Sequence, residues 1–210
     1  MSGRINRYFA VLLLTAAVYC CLSACNMPGP AQKKAVEIDS MKLQADIRVV
    51  TNDSTKVQKN VADFLRWYKA NYKKANSFPL LAKDAAGNFL VDKAAYTDYL
   101  NFLNSSNLVS SRFIGYWKTF FIDKEAELRK NKIKSDIPDG FDFDLILITQ
   151  EPELILSKID SIHFNIASMN DSVALVGLTL PSDSLISYEV EMYKKNNNWQ
   201  VGYISTPNYD

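Results

Sequence analysis

IHFNIASMNDSVALVGLTL, from Ile162 to Leu180, is where the chain changes its hydrophobic period. Ile162, Phe164 and Ile166 face one way and Ser161, His163 and Asn165 the other, the two-residue period of a strand with one buried face. The alternation predicts a strand from Ile159 to Ile166. Met169-Asn170-Asp171 carries turn chemistry. Val173 to Leu180 is almost wholly apolar, which predicts a central strand buried on both faces. After a turn at Pro181 to Ser184, Tyr188, Val190 and Met192 alternate with Glu189 and Glu191. Asn196-Asn197-Asn198 turns again, and Trp199, Val201 and Tyr203 close the sheet. Strands at hairpin spacing predict a four-stranded antiparallel meander.

Upstream of this sheet the period is helical. Thr55-x-x-Gln58 has the form of a capping box. Val57, Val61, Phe64, Leu65, Tyr68 and Tyr72 follow at three- and four-residue steps, a stripe expected to end near Ala75. Pro79 and Ala86-Gly87-Asn88 punctuate two short apolar runs. Asp92 is a candidate cap for a second helix carried by Tyr96, Tyr99, Leu100 and Leu103, which Asn104 to Asn107 should break. A third helix is expected from Ser110, with Phe113, Trp117, Phe120, Phe121 and Leu128 on one face. Helices followed by strands predict an α+β fold, the helices covering one face of the meander.

The amino terminus carries a different signal. Arg4 and Arg7 precede a 15-residue run, Tyr8 to Leu22, that is apolar apart from Thr15. As a helix it spans about 22 Å, short of a ~30 Å hydrocarbon core, and it reads as an export signal. Leu22-Ser23-Ala24-Cys25 resembles the bacterial lipoprotein box: a branched residue, two small ones, then cysteine. That resemblance implies cleavage before Cys25 and acylation (palmitate or a related chain) of its thiol and amino group. Cys20 and Cys21 would leave with the signal, so the chain after Cys25 holds no cysteine for a disulfide or thiolate metal site. Asn26 in place of Asp points to the outer membrane by the rule known for enteric bacteria, and no acidic surface-export run follows. The expected location is the periplasmic face of the outer membrane. The expected division is residues 1–24 as signal, 25–50 as lipidated cysteine and tether, and 51–210 as a single α+β domain. NMPGPAQKK, Asn26 to Lys34, has a linker's composition.

FLRWYKANY (Phe64 to Tyr72), DLILITQE (Asp144 to Glu151) and NNNWQVGYI (Asn196 to Ile204) complete a set that, with the lipoprotein box, resembles the bacterial lipoproteins called domain of unknown function 3828. The resemblance implies a cystatin-like cone akin to nuclear transport factor two. It implies no catalytic residues.

Charge singles out no partner. There are 24 basic and 23 acidic residues, and removing Arg4 and Arg7 leaves 22 basic, so no large field steers nucleic acid. His163 is the only histidine, so acid–base chemistry through imidazole must use it, with Asp144 or Asp160 as partner. Asp139, Asp142 and Asp144 in IPDGFDFD are weak candidates for a hard cation, and their spacing is not that of an EF-hand. No metal or other cofactor is expected. Trp67, Tyr68 and Trp117, with Tyr72 and Phe121, would line an aromatic pocket or pack a core, and Trp67 lies off the centre of its stripe. Asp-Ser pairs at Asp39, Asp53, Asp160, Asp171 and Asp183 resemble the O-glycosylation site of exported Bacteroidetes proteins, and equally are ordinary turn and cap pairs. The leading expectation is a non-catalytic, membrane-anchored binding or interaction domain with an envelope partner or small ligand. An enzyme or ligand binder using His163 in a cone pocket, and a periplasmic immunity or inhibitor protein, are the alternatives.

Overall fold

The structure, a computed structural model, describes residues 30–180 and 183–206, with side chains over 52–180 and 187–206. The signal segment, Cys25 and the first residues of the expected tether lie outside the described residues. The chain divides into two units, Met1–Gln44 and Ala45–Asp210, and the sheet, the core and the site belong to the second.

Helix α1 runs from Pro30 to Ala75. It starts far upstream of Thr55, so the capping-box reading is corrected: Thr55 and Gln58 lie inside a helix. Pro30 suits a first helical position, and residues 31–54 hold no further proline or glycine and many strong helix formers. From Pro30 on, the tether sequence is therefore helical. The Gln58 amide, instead of capping, donates to the Phe164 carbonyl at 3.0 Å.

Two helices follow a small hairpin, β1 (Leu81–Lys83) with β2 (Phe89–Val91). Gly87 turns it with φ +83°. Helix α2 (Lys93–Ser105) is capped by Asp92, whose carboxylate accepts from the Ala95 N–H at 2.9 Å. Helix α3 (Ser111–Asn131) is capped by Ser110, which accepts from Phe113 N–H at 3.3 Å. Asp92 caps where the sequence predicts, and α3 starts one residue after the expected Ser110, which proves to be its cap. A short helix α4 (Pro152–Ser157) and a 3₁₀ turn (Ile159–Ser161) lead into the sheet.

The sheet is the predicted meander, β3 (His163–Met169), β4 (Val173–Leu180), β5 (Asp183–Lys195) and β6 (Asn198–Ser205), in the order β3-β4-β5-β6. All pairs are antiparallel. Asn196 and Asn197 take φ of 50° and 62°, the doubly left-handed turn that matches strand twist. The first strand begins at His163 rather than Ile159, because Ile159 to Ser161 closes a helical turn.

Strand β4 corrects a second expectation. It alternates: Ala174, Val176, Leu178 and Leu180 are buried, while Val173, Leu175 and Gly177 are half-buried and Thr179 exposed. Only one face is fully covered. On the other, Leu175 pairs with Ser168 and Glu191, and Gly177 with Asn165 and Glu189. Carboxylates there need water, and among the described residues no layer covers them.

The inner face packs on α1. Val57, Val61, Phe64, Leu65 and Tyr68 are all 2% exposed or less, and join Val176, Val190, Met192, Trp199 and Val201 in one core. Polar bonds fix α1 across the whole sheet: Gln58 reaches β3, Lys194 of β5 pairs with Asp53 at 2.5 Å, and Asn60 donates to the Trp199 carbonyl of β6 at 2.6 Å. At the β6 edge, Val109 forms a parallel bridge with Val201 and ties the start of α3 to the sheet.

Tyr203 lies in the closing strand as expected, but on the other face from Trp199 and Val201. A register shift between Glu191 and Met192 lets Glu191 face Tyr203 and Met192 face Val201. Ile204 takes the buried place (5% exposed), and Tyr203 turns out to meet Tyr116 at 4.7 Å between ring centres. The extra residue is Gly202, and the Tyr193 ring lies directly on it.

Candidate functional site

The segment after α3 builds the site. Pro138 and Gly140 make a turn in which Phe141 N–H donates to the Pro138 carbonyl at 3.0 Å, with Gly140 at φ +89°. Asp144 then organises the loop that leads to Thr149. Its Oδ1 accepts from Ile146 N–H at 3.1 Å and Leu147 N–H at 2.8 Å, and its Oδ2 accepts the Tyr68 hydroxyl at 2.7 Å. Its own N–H donates to Thr149 O, closing the loop. Asp144 is 5% exposed. Burial pushes its carboxyl above the usual carboxylate range, and the donors from Tyr68, Leu147, Asn76 and Ile146 pull against that. The same burial holds the Tyr68 and Tyr99 hydroxyls protonated, with the Asp144 charge adding to the effect. The flanking Leu145, Ile146 and Leu147 are buried in the core.

Beside this loop a cleft of about 320 Å³ opens between the end of α1, the first hairpin, α2 and the loop. That is at the small end of ligand-sized cavities. Phe78, Tyr99, Phe141, Phe143 and Leu145 supply its apolar wall, with Ile137 (61% exposed) at the rim. Asn76 contributes an amide, and no charged side chain is among the lining residues. Tyr99 is 2% exposed and packs against Phe78 and Phe121. Its hydroxyl has no hydrogen-bond partner among the described residues.

The sequence candidates fall elsewhere. His163 is exposed on the outer face of edge strand β3, paired in register with Thr179. Among the described residues it meets no carboxylate. Asp144 is buried on Tyr68, and exposed Asp160 pairs with Arg66 at 3.0 Å. The structure therefore does not assemble the His163–acid pair. Asp139 and Asp142 are exposed while Asp144 is sealed on its own donors, so the three do not converge, and no metal-competent cluster occurs among the described residues.

Tyr68 and Trp117 are core, at 1% and 5% exposed. Trp67 is half-buried and packs on Phe102 at 5.3 Å between ring centres. None of these lines the cleft. Of the Asp-Ser pairs, Asp53 is engaged by Lys194 and Asp160 by Arg66. The Asp171-Ser172 turn is held by the Asn170 side chain, which accepts from Ser172 and Val173 N–H.

The cleft was hidden in plain view. IPDGFDFD drew attention for its acids, yet its apolar residues, Ile137, Phe141 and Phe143, are the ones that line the cavity. Tyr99 reads as one more member of a helix face, and nothing local marks its hydroxyl as unpaired. Among the described residues no helix is long and apolar enough to cross a membrane. Comparison with family models, curated proteins and solved structures returned no match.

Proposed function

We propose that this protein is a lipoprotein of the bacterial outer membrane, facing the periplasm, whose α+β domain binds a ligand without transforming it. The anchor reading rests on Leu22-Ser23-Ala24-Cys25 after its apolar run. The observation that carries the binding reading is the cleft of about 320 Å³ with a wholly uncharged lining. Its neutral wall, with four aromatic rings and polar groups between them, suits a body that is apolar but uncharged and carries a polar atom. The nearest buried acid, Asp144, spends both oxygens on fixed donors and serves as a structural post. A cell-envelope binding domain of this kind needs lasting retention near the membrane. Several acyl chains supply it, because each buried CH₂ adds about 0.8 kcal/mol.

Metabolic labelling with a palmitate analogue, followed by separation of inner membrane, outer membrane and periplasm, tests the anchor. The wild-type chain is expected to take label and sediment with the outer membrane. Cys25→Ala is expected to take no label and leave that fraction. Label retained by Cys25→Ala would overturn the anchor assignment.

A further inference from the structure

Three facts meet at one wall of the cleft. Tyr99 lines it, is 2% exposed, and its hydroxyl has no hydrogen-bond partner among the described residues. The unpaired side-chain atoms fully sealed from solvent, among those residues, are Asn88 Oδ1 and Trp199 Nε1. The Tyr99 oxygen is thus unpaired without being sealed, and the space that Tyr99 borders is the cleft. A hydroxyl that opens on a cleft and holds no bond within the protein is free to donate to a bound acceptor without breaking an internal hydrogen bond.

The rest of the wall selects the body of the ligand. Phe78, Phe141 and Phe143 offer ring faces and edges, and Leu145 an aliphatic surface. Aromatic groups pack well on such walls in offset or edge-on geometry. No charged side chain lines the cavity, and Lys74, which lies over the Phe78 ring at 4.7 Å, stands outside the lining. A charged ligand would lose its hydration without gaining a counter-charge. Beside Tyr99 the Asp144 carboxylate opposes a second negative charge, and burial first, with that charge adding to it, raises the tyrosine further above its ordinary value, so it stays a donor.

We propose that the cleft binds a small uncharged aromatic molecule through a carbonyl-type oxygen that accepts a hydrogen bond from the Tyr99 hydroxyl, its apolar body lying against Phe78, Phe141, Phe143 and Leu145. This rests on the binding reading above and names the ligand's chemistry. The Asn76 amide, which donates to the Tyr72 carbonyl at 3.1 Å, borders the same space and offers a second polar contact.

The test is a fluorescence titration of residues 25–210, the form left once the apolar run Tyr8–Leu22 is removed, carrying Cys25→Ala, in detergent-free buffer. Three probes are used: 6-propionyl-2-dimethylaminonaphthalene, an uncharged aromatic ketone whose emission shifts to the blue in an apolar site; its analogue lacking the propionyl group; and naphthalene-2-carboxylate. Ile137→Asp, a change at the exposed rim, gives the signal arising outside the cleft. The ketone is expected to bind best, and Tyr99→Phe to weaken it about 2- to 10-fold, the worth of one neutral hydrogen bond. The same variant should leave the analogue without the carbonyl unchanged. Tyr99→Phe keeps the ring packing and removes an atom with no partner, so its thermal midpoint should match the parent. Unchanged ketone affinity in Tyr99→Phe would overturn the donor assignment and leave the cleft a binding site. Tighter binding of the carboxylate would overturn the preference for an uncharged ligand. Binding of all three probes unaffected by Ile137→Asp, or no binding at all, would remove the cleft itself, and with it the binding reading.

Discussion

Asp144 shows how one buried side chain turns a loop into a wall. Its oxygens accept from two N–H groups of its own loop and from the Tyr68 hydroxyl on α1, and its neighbours Phe143 and Leu145 then face the cleft. The cost is a carboxyl held above its ordinary value of 3.8 by burial. The folded state binds that proton more tightly than the unfolded chain does, so ionisation works against folding. The stability tied to this group is fully present below about pH 3.8 and is lost as pH rises through the raised folded value. Asp53 has the opposite sign. Its hydrogen bond to Lys194 lowers its carboxyl, so its contribution is present above the ordinary range and lost as pH falls through the lowered value. Urea unfolding of the parent and Asp144→Asn over a pH series separates the two. The parent should lose stability relative to Asp144→Asn as pH rises above about 4. A difference independent of pH would mean that the buried carboxyl titrates as in water.

At the scale of elements, the two edges of the meander are treated differently. On β6 the shift at Gly202 turns Tyr203 outward and lays the Tyr193 ring over the glycine, with the Arg112 guanidinium 5.0 Å from that ring. A Cβ at position 202 would lie 2.1 Å from Tyr193 Cδ2 and 3.3 Å from the Glu191 carbonyl. The ring must then leave its place. Gly202→Ala is expected to destabilise by about 1–3 kcal/mol, the range for overpacking. In a Tyr193→Ala background most of that cost should vanish, which a double-mutant cycle in urea reads directly. An additive pair would show that the strain lies in the strand backbone and not in the ring. Alternation, caps and turns were legible in the sequence at this scale: Asp92, Ser110 and Asn196-Asn197 act through bonds or dihedrals that depend on a few neighbouring residues. The outward turn of Tyr203 was not legible. A one-residue slip reverses every side chain after it, and the slip depends on packing between elements far apart in the chain.

Across the whole domain, α1 is the spine. Its bonds to β3, β5 and β6 and its stripe from Val57 to Tyr68 join sheet and helices in one core. Phe64 stands at the centre, 0% exposed, between Trp67, Tyr68 and Phe113. Phe64→Ala should cost about 3–5 kcal/mol, a large share of the ~5–15 kcal/mol that holds a domain folded. In a Trp67→Phe, Trp117→Phe background, which leaves Trp199 of β6 as the one tryptophan, the helical signal and the tryptophan fluorescence should then shift together in denaturant. Separate midpoints would show that α1 and the meander are not one cooperative unit.

The sequence by itself determined the α+β class, the order of the three long helices and the sheet, the buried stripe of α1, the Asp92 cap and the four-strand meander. Each follows from a local period or a short-range bond, and the chain carries that information within a few residues. Only the tertiary structure decided that α1 reaches back to Pro30, that β4 has one covered face, and that His163 stands apart from Asp144. The cleft belongs with these. Ala75, Tyr99 and Leu145 come together from three distant segments, and an unpaired hydroxyl is defined by what fails to approach it, which no local pattern records.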